Sequence, residues 1–173
     1  MSLYIGIDPG LQGAIGVVDE QGKHIWIYDT PIIEFTKGKK KKREYDIPAI
    51  RNILMNFSDI GPTKVTVALE KMQSLPPGIR IQATFGLGLC QGIFEGLLVG
   101  LNIPYELVIP KTWQKEFQIT KSKGDKKAQS LMIAERLFPS AELRGPRGGK
   151  KDGRSDALLI AEWIRRSSLG QMA

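Results

Sequence analysis

The chain has 173 residues but only one cysteine, Cys90, and one histidine, His24. A lone thiol cannot close an internal disulfide, and a lone thiol with a lone imidazole cannot assemble a zinc site, so disulfide scaffolds and zinc modules are excluded. The expected setting is a reducing, intracellular compartment, a bacterial or host cytoplasm. No apolar run approaches the roughly 20 residues that span a bilayer, and the chain enters a strand pattern at once, without a charged-then-apolar leader. A soluble protein with no targeting segment and no membrane partner is expected. Acidic residues are in deficit: 25 Lys and Arg face 18 Asp and Glu, a formal charge of +7. That surplus favours a polyanionic partner, because cations that neutralise phosphates release condensed counterions. Nucleic acid is the simplest such partner. With 42% apolar residues the chain can bury one good core, and a single domain over 1–173 is expected.

Residues 3–8 read as a buried strand, Pro9-Gly10 and Gly13 as a turn, 14–18 as a second strand and 24–28 as a third, an antiparallel meander. Residues 30–45 lose periodicity and carry Lys37, Lys39, Lys40, Lys41, Lys42 and Arg43; self-repulsion predicts a mobile basic loop at about 36–45, ordered by DNA. Asp46 caps a helix bearing Ile47, Ile50, Ile53, Leu54 and Phe57, and 64–70 returns to strand with Val65, Val67 and Leu69 on one face. A long apolar helix over 81–101 carries Gly88, Gly92, Gly96 and Gly100 at four-residue intervals, a stripe that invites another backbone to approach. A strand at 105–109, a short helix opened by Pro110, a helix capped by Asp125 and a last helix over 155–166 complete an α/β order βββαβαβα, a mixed five-stranded sheet flanked by helices.

Four carboxylates stand out in this order. Asp8 and Glu70 end apolar strands, and Asp152 and Asp156 lie four apart at the mouth of the last helix, on one helical face. Crowded carboxylates repel one another and recruit hard divalent cations, and in a basic chain that combination reads as an Mg²⁺-dependent nuclease. Each acid also has a plain reading: Asp8 as a turn residue, Glu70 as a solvated strand end, Asp156 as a favourable first-turn acid, Asp152 as a helix N-cap.

Ile-Gly-Ile-Asp-Pro-Gly at 5–10, Ala-Leu-Glu-Lys at 68–71, Phe-Gly-Leu-Gly-Leu-Cys-Gln-Gly at 85–92, Ile-Pro-Lys-Thr-Trp-Gln-Lys at 109–115 and Lys-Lys-Asp-Gly-Arg-Ser-Asp-Ala at 150–157 follow one another in this order. The set resembles the ribonuclease H-like superfamily and, within it, RuvC-type Holliday junction resolvases of the plastid and phage-type branch. The resemblance implies a crossover junction endodeoxyribonuclease that makes paired symmetric nicks and leaves 5′-phosphate and 3′-hydroxyl ends. It implies Asp8, Glu70 and Asp156 as ligands of two Mg²⁺ ions, with Mn²⁺ as a substitute and no small-molecule cofactor. Bacterial members place the fourth ligand three residues before the last Asp, where this chain has Gly153; the four-residue interval of yeast mitochondrial relatives makes Asp152 the candidate instead. Lys127 falls where the family shows a lysine that contacts the scissile phosphate or assists the water; its other reading is a solvated first-turn lysine.

DNA contacts are expected from the loop at Lys37, Lys39, Lys40, Lys41, Lys42 and Arg43, which resembles a basic loop of the plastid branch. Lys115, Lys123, Lys126, Lys151 and Arg154 are expected to add to them. Met72, Gln73 and Arg80 fall where relatives probe the junction centre, unless 72–80 is only a crossover. Four-way junction DNA has near two-fold symmetry, so a homodimer is expected; the glycine stripe lies either near its interface or tightly on the sheet. The alternative from another class is a catalytically silent junction-binding or nucleic-acid-binding module of the same fold.

Overall fold

The computed structural model describes residues 2–58, 63–73, 81–145, 149 and 151–172, with the side chains of 81–84 outside that description. In chain order the elements are β1 (Ser2–Asp8), β2 (Ala14–Asp19), β3 (Ile25–Asp29), β4 (Ile32–Lys37), β5 (Lys40–Tyr45), α1 (Ile47–Ser58), β6 (Lys64–Glu70), α2 (Ile81–Gly100), β7 (Tyr105–Val108), α3 (Pro110–Glu116), α4 (Lys126–Leu137) and α5 (Asp152–Ser168). Five strands form one mixed sheet in the order β3-β2-β1-β6-β7. The β1–β2 and β2–β3 pairs are antiparallel, as the meander requires, whereas β1–β6 and β6–β7 are parallel. The architecture is the ribonuclease H-like α/β fold.

Period-2 alternation along the strands sorts the core into two halves. Leu3, Ile5, Ile7, Val65, Val67 and Leu69 point to the face covered by Ile50, Leu54 and Phe57 of α1 and by Cys90, Phe94 and Leu98 of α2. Tyr4 and Ala68 point the other way, to the face covered by α5 and by Trp113, Leu131 and Ala134. The Asp46 carboxylate accepts from the Ala49 N–H at 3.0 Å and that of Asp125 from the Lys127 N–H at 3.1 Å, so both expected caps start their helices.

The helix α5 lies unusually close to the sheet. Gly6 and Gly16 stand opposite each other in the β1–β2 register, and a Cβ built on Gly16 would lie 2.9 Å from the Ala157 carbonyl carbon. A Cβ on Gly6 would run into the Ala157 carbonyl oxygen and the Ala161 nitrogen. Two side-chain-free positions therefore make a trough for the α5 backbone, which sets the height of its acids above the sheet.

One expectation fails. Residues 32–45 form an antiparallel hairpin rather than a structureless loop, with Lys37 opposite Lys40. Its two-residue turn begins at Gly38, whose φ of 63° suits the first position of such a turn. Every residue from Ile33 to Glu44 is exposed, so no buried face imposes the apolar alternation that a sequence pattern needs; one β-branched–aromatic pair, Ile32 opposite Tyr45, supports the base instead. Of the two readings of the α2 glycine stripe, packing on the sheet is not met: among the described residues, a Cβ at Gly88, Gly92, Gly96 or Gly100 would meet nothing within 4 Å. Among the described residues, no helix is long and apolar enough to cross a membrane.

Candidate active site

Asp8 and Glu70 are brought together by register. Ile7 stands opposite Leu69 in the parallel β1–β6 pair, so the next residues end adjacent strands. Alternation then sends both side chains to the α5 face, because Asp8 follows Gly6 by two and Glu70 follows Ala68 by two. From that side α5 contributes Asp152 and Asp156, the latter one residue before the Ala157 that rests on the glycine trough.

The electrostatics show how closely the acids are grouped. Burial holds the Asp8 carboxyl well above the usual carboxylate range, Asp156, Glu70 and Asp152 push it further the same way, and the Lys127 ammonium partly offsets them. Burial pushes Glu70 up to about 7 against the opposing Trp113 hydrogen bond, with Asp156 adding repulsion. Asp156 is pushed up to about 6 by burial and by Asp152, against the Ser130 hydroxyl and Lys127. Lys127 brings a cation into the group: its Nζ donates to Asp152 Oδ2 at 3.0 Å, and chiefly that bond holds its ammonium above the ordinary lysine value.

Asp152 is not a cap. Lys151 occupies the N-cap position of α5 and makes no side-chain cap bond, while Asp152 sits in the first turn. The Asp152→Ala chain is therefore expected to melt within a few degrees of the parent, since an exposed ion pair with Lys127 is worth about 0–1 kcal/mol. A clear drop in Tm in a thermal scan would contradict that placement.

The donor set suits a hard dication. It consists of carboxylate oxygens, and Asp152 Oδ1 and Asp156 Oδ1 are both buried without a hydrogen-bond partner, a costly arrangement for anions that a cation relieves. Among the described residues no group of three or more His, Cys, Asp or Glu side chains is arranged to hold a metal ion. Mg²⁺ does not require one, because it keeps several waters and binds through one or two carboxylates plus phosphate oxygens.

Gly153 explains the position of the fourth acid. A Cβ there would lie 2.8 Å from Gly13 Cα and would also meet the Gln12 carbonyl oxygen, so the β1–β2 turn excludes any side chain at 153. Asp152 is the neighbouring position from which a carboxylate can be presented.

Trp113 does more than fill the core. It is 1% exposed, and its Nε1–H donates to Glu70 Oε2 at 2.6 Å. The contact joins residues 43 apart in sequence, and no local pattern announces it. The chain just beyond Glu70 is fixed similarly: the Lys71 N–H donates to the Val108 carbonyl at 2.8 Å and the Met72 N–H to Gln91 Oε1 at 3.0 Å. Gln73 is exposed and Met72 half-buried, while Arg80 lies outside the described residues.

A cleft of 1210 Å³ runs from Asp8, Lys127 and Asp152 to Arg43 and Tyr45 at the base of the hairpin. Lys37, Lys39, Lys40, Lys41, Lys42 and Arg43 are all exposed on that hairpin, as are Lys115 and Lys123 nearer α4. Lys126 donates to Gln114 Oε1 at 2.6 Å. Lys151 and Arg154 are drawn to Asp29 at the end of β3, at 2.8 and 2.6 Å; Arg154 also donates to the Glu142 carbonyl at 2.7 Å. Both tie the start of α5 to the sheet.

No family model and no curated protein sequence matches the chain. Solved structures do. A Thermus thermophilus RuvC in complex with Holliday junction substrate aligns with a TM-score of 0.59 at 15% identity, covering 99% of this chain and 98% of that one. A second T. thermophilus RuvC structure aligns with a TM-score of 0.55 at 14% identity, covering 98% of both chains. The fold is that of the RuvC-type resolvases over their whole length.

Proposed function

We propose, from the RuvC-type fold and the acid group at its centre, that the protein is a structure-selective endodeoxyribonuclease resolving four-way DNA junctions by paired symmetric nicks. The observation that carries the reading is the convergence of Asp8, Glu70, Asp152 and Asp156, acids from three separate elements, with two buried oxygens unpartnered. Two bound Mg²⁺ ions, or Mn²⁺ in their place, would supply an activated water and neutralise charge on the leaving 3′ oxygen. The four carboxylates would hold them. Water attacks the phosphorus in line, the P–O3′ bond breaks, and 5′-phosphate and 3′-hydroxyl ends remain. Lys127, within the acid group, would meet the scissile phosphate or steer the water.

Junction DNA would be held by the hairpin cations 37 and 39–43 and by Lys115, Lys123 and Lys126, with Met72, Gln73 and Arg80 toward the junction centre. Lys151 and Arg154 contribute through the charge left over from Asp29. Two symmetric nicks call for two sites, and a homodimer supplies them. The open α2 face, where Phe85 and Val99 are 70% and 67% exposed beside the glycines, is where a second copy would pack. The test is incubation with Mg²⁺ and equimolar four-way junction, linear duplex and RNA–DNA hybrid. Paired nicks in the junction alone support the reading, and equal cutting of linear DNA rejects it.

Two further outcomes are expected. Trp113→Phe removes the donor to Glu70 while keeping a ring in the core; it should raise the Mg²⁺ concentration for half-maximal cleavage about tenfold, the scale of one hydrogen bond to a charged group. An unchanged Mg²⁺ profile would leave Trp113 as packing. Replacing Lys39–Arg43 by serine should weaken junction affinity and flatten its dependence on log salt, with a loss of up to about 0.9 in slope for each phosphate contact removed. An unchanged slope would mean the hairpin stays clear of DNA.

A further inference from the structure

The hairpin carries more than charge. Cross-strand register divides its residues between two faces: Ile33 opposite Glu44, Phe35 opposite Lys42 and Lys37 opposite Lys40 share one, and Glu34 opposite Arg43 and Thr36 opposite Lys41 share the other. Cations thus stand on both faces, and among the described residues none of Lys37, Lys39, Lys40, Lys41, Lys42 and Arg43 has an ion-pair partner. A hairpin meant to lie flat on a phosphate surface needs basic residues on one face only. Phe35 is the odd member, an aromatic ring 37% exposed among lysines and next to Ile33, which is 49% exposed. Solvated lysines do not need an aromatic neighbour, and the ring contributes nothing to the core.

We infer that the β4–β5 hairpin enters the major groove of one duplex arm, its lysines meeting the phosphate walls on either side and Phe35 touching base edges between them. Size supports that groove. A two-stranded ribbon with side chains on both faces is about 10 Å thick, which fits a groove about 12 Å wide and not the minor groove of about 6 Å. Six residues per strand reach roughly 20 Å from base to turn. Because Arg43 and Tyr45 at the base line the same cleft as Asp8 and Asp152, an arm gripped this way runs toward the acids. The hairpin then sets which phosphate arrives there. This inference rests on the proposed junction nuclease and adds the groove, the apolar contact and the register.

Cross-linking tests it in the full-length protein. Cys90 is buried, so Phe35→Cys supplies the accessible thiol, and Lys39→Cys in the exposed turn supplies a second position. Four-way junctions are built with a disulfide tether on cytosine N4, which faces the major groove, or on guanine N2, which faces the minor. Both variants are expected to link to the cytosine tether in one arm and not to the guanine tether. Phe35→Ala should weaken junction affinity about five- to tenfold at an unchanged salt slope, since apolar contact and no charge is lost. Linking to the guanine tether to an equal or greater extent, or to neither tether while the junction stays bound, overturns groove entry and leaves the nuclease reading in place. A parent protein that binds no branched DNA removes the nuclease reading itself.

Discussion

Asp8→Asn and Glu70→Gln are each expected to lower Mg²⁺-dependent junction cleavage by at least about 10³-fold while junction affinity stays within a few-fold. Both substitutions keep the shape of the side chain while removing the negative charge and exchanging one acceptor oxygen for an amide donor. Asp8 and Glu70 end adjacent parallel strands and face α5, so neither is needed to hold the sheet together. The buried, mutually repelling acids strain the ion-free protein, and neutralising one relieves part of that strain. The Tm of each variant without Mg²⁺ should therefore match or exceed the parent's. Gel-shift and single-turnover cleavage on the same junction separate the effects. Substantial cutting by both variants would take the two acids out of the site.

The second large effect is expected at a residue with no side chain. Gly153→Ala places a methyl group against the Gly13 Cα and the Gln12 carbonyl, backbone that cannot swing aside. Overpacking of that kind costs about 3 kcal/mol, or roughly 6–12 °C in Tm for a domain of this size. Gly153→Asp should be worse, adding a carboxylate to an already anionic group. Because the strain falls on the turn after Asp8 and on the first turn of α5, cleavage should drop beyond what lost stability explains. An unchanged Tm for Gly153→Ala would show that α5 does not seat against this turn.

The acid group was legible in the sequence because strands and helices advertise their faces. Period-2 alternation put Asp8 and Glu70 at strand ends, and the four-residue step put Asp152 and Asp156 on one side of α5. Contacts made across the fold had no such signal. Gly6 and Gly16 look like ordinary strand residues until pairing sets them opposite each other under α5. The Trp113 bond to Glu70 depends on β6 and β7 lying side by side, which no window of sequence reports. The hairpin was missed for a different reason: a strand pair exposed on both faces has no buried face to impose alternation, and its lysines read as a charge run. The α2 glycines left two readings open, since four-residue spacing marks a smooth helical face without saying whether anything in the same chain covers it.

We propose that the carboxylates around Asp8 form a site for divalent cations. Its most direct measurement is an Mn²⁺ titration of the parent and Asp8→Asn chains, followed by loss of the free-ion EPR signal in the presence of uncleaved junction. Saturable binding by the parent, largely lost in Asp8→Asn, is the expected result. Equal binding by the two chains would contradict it.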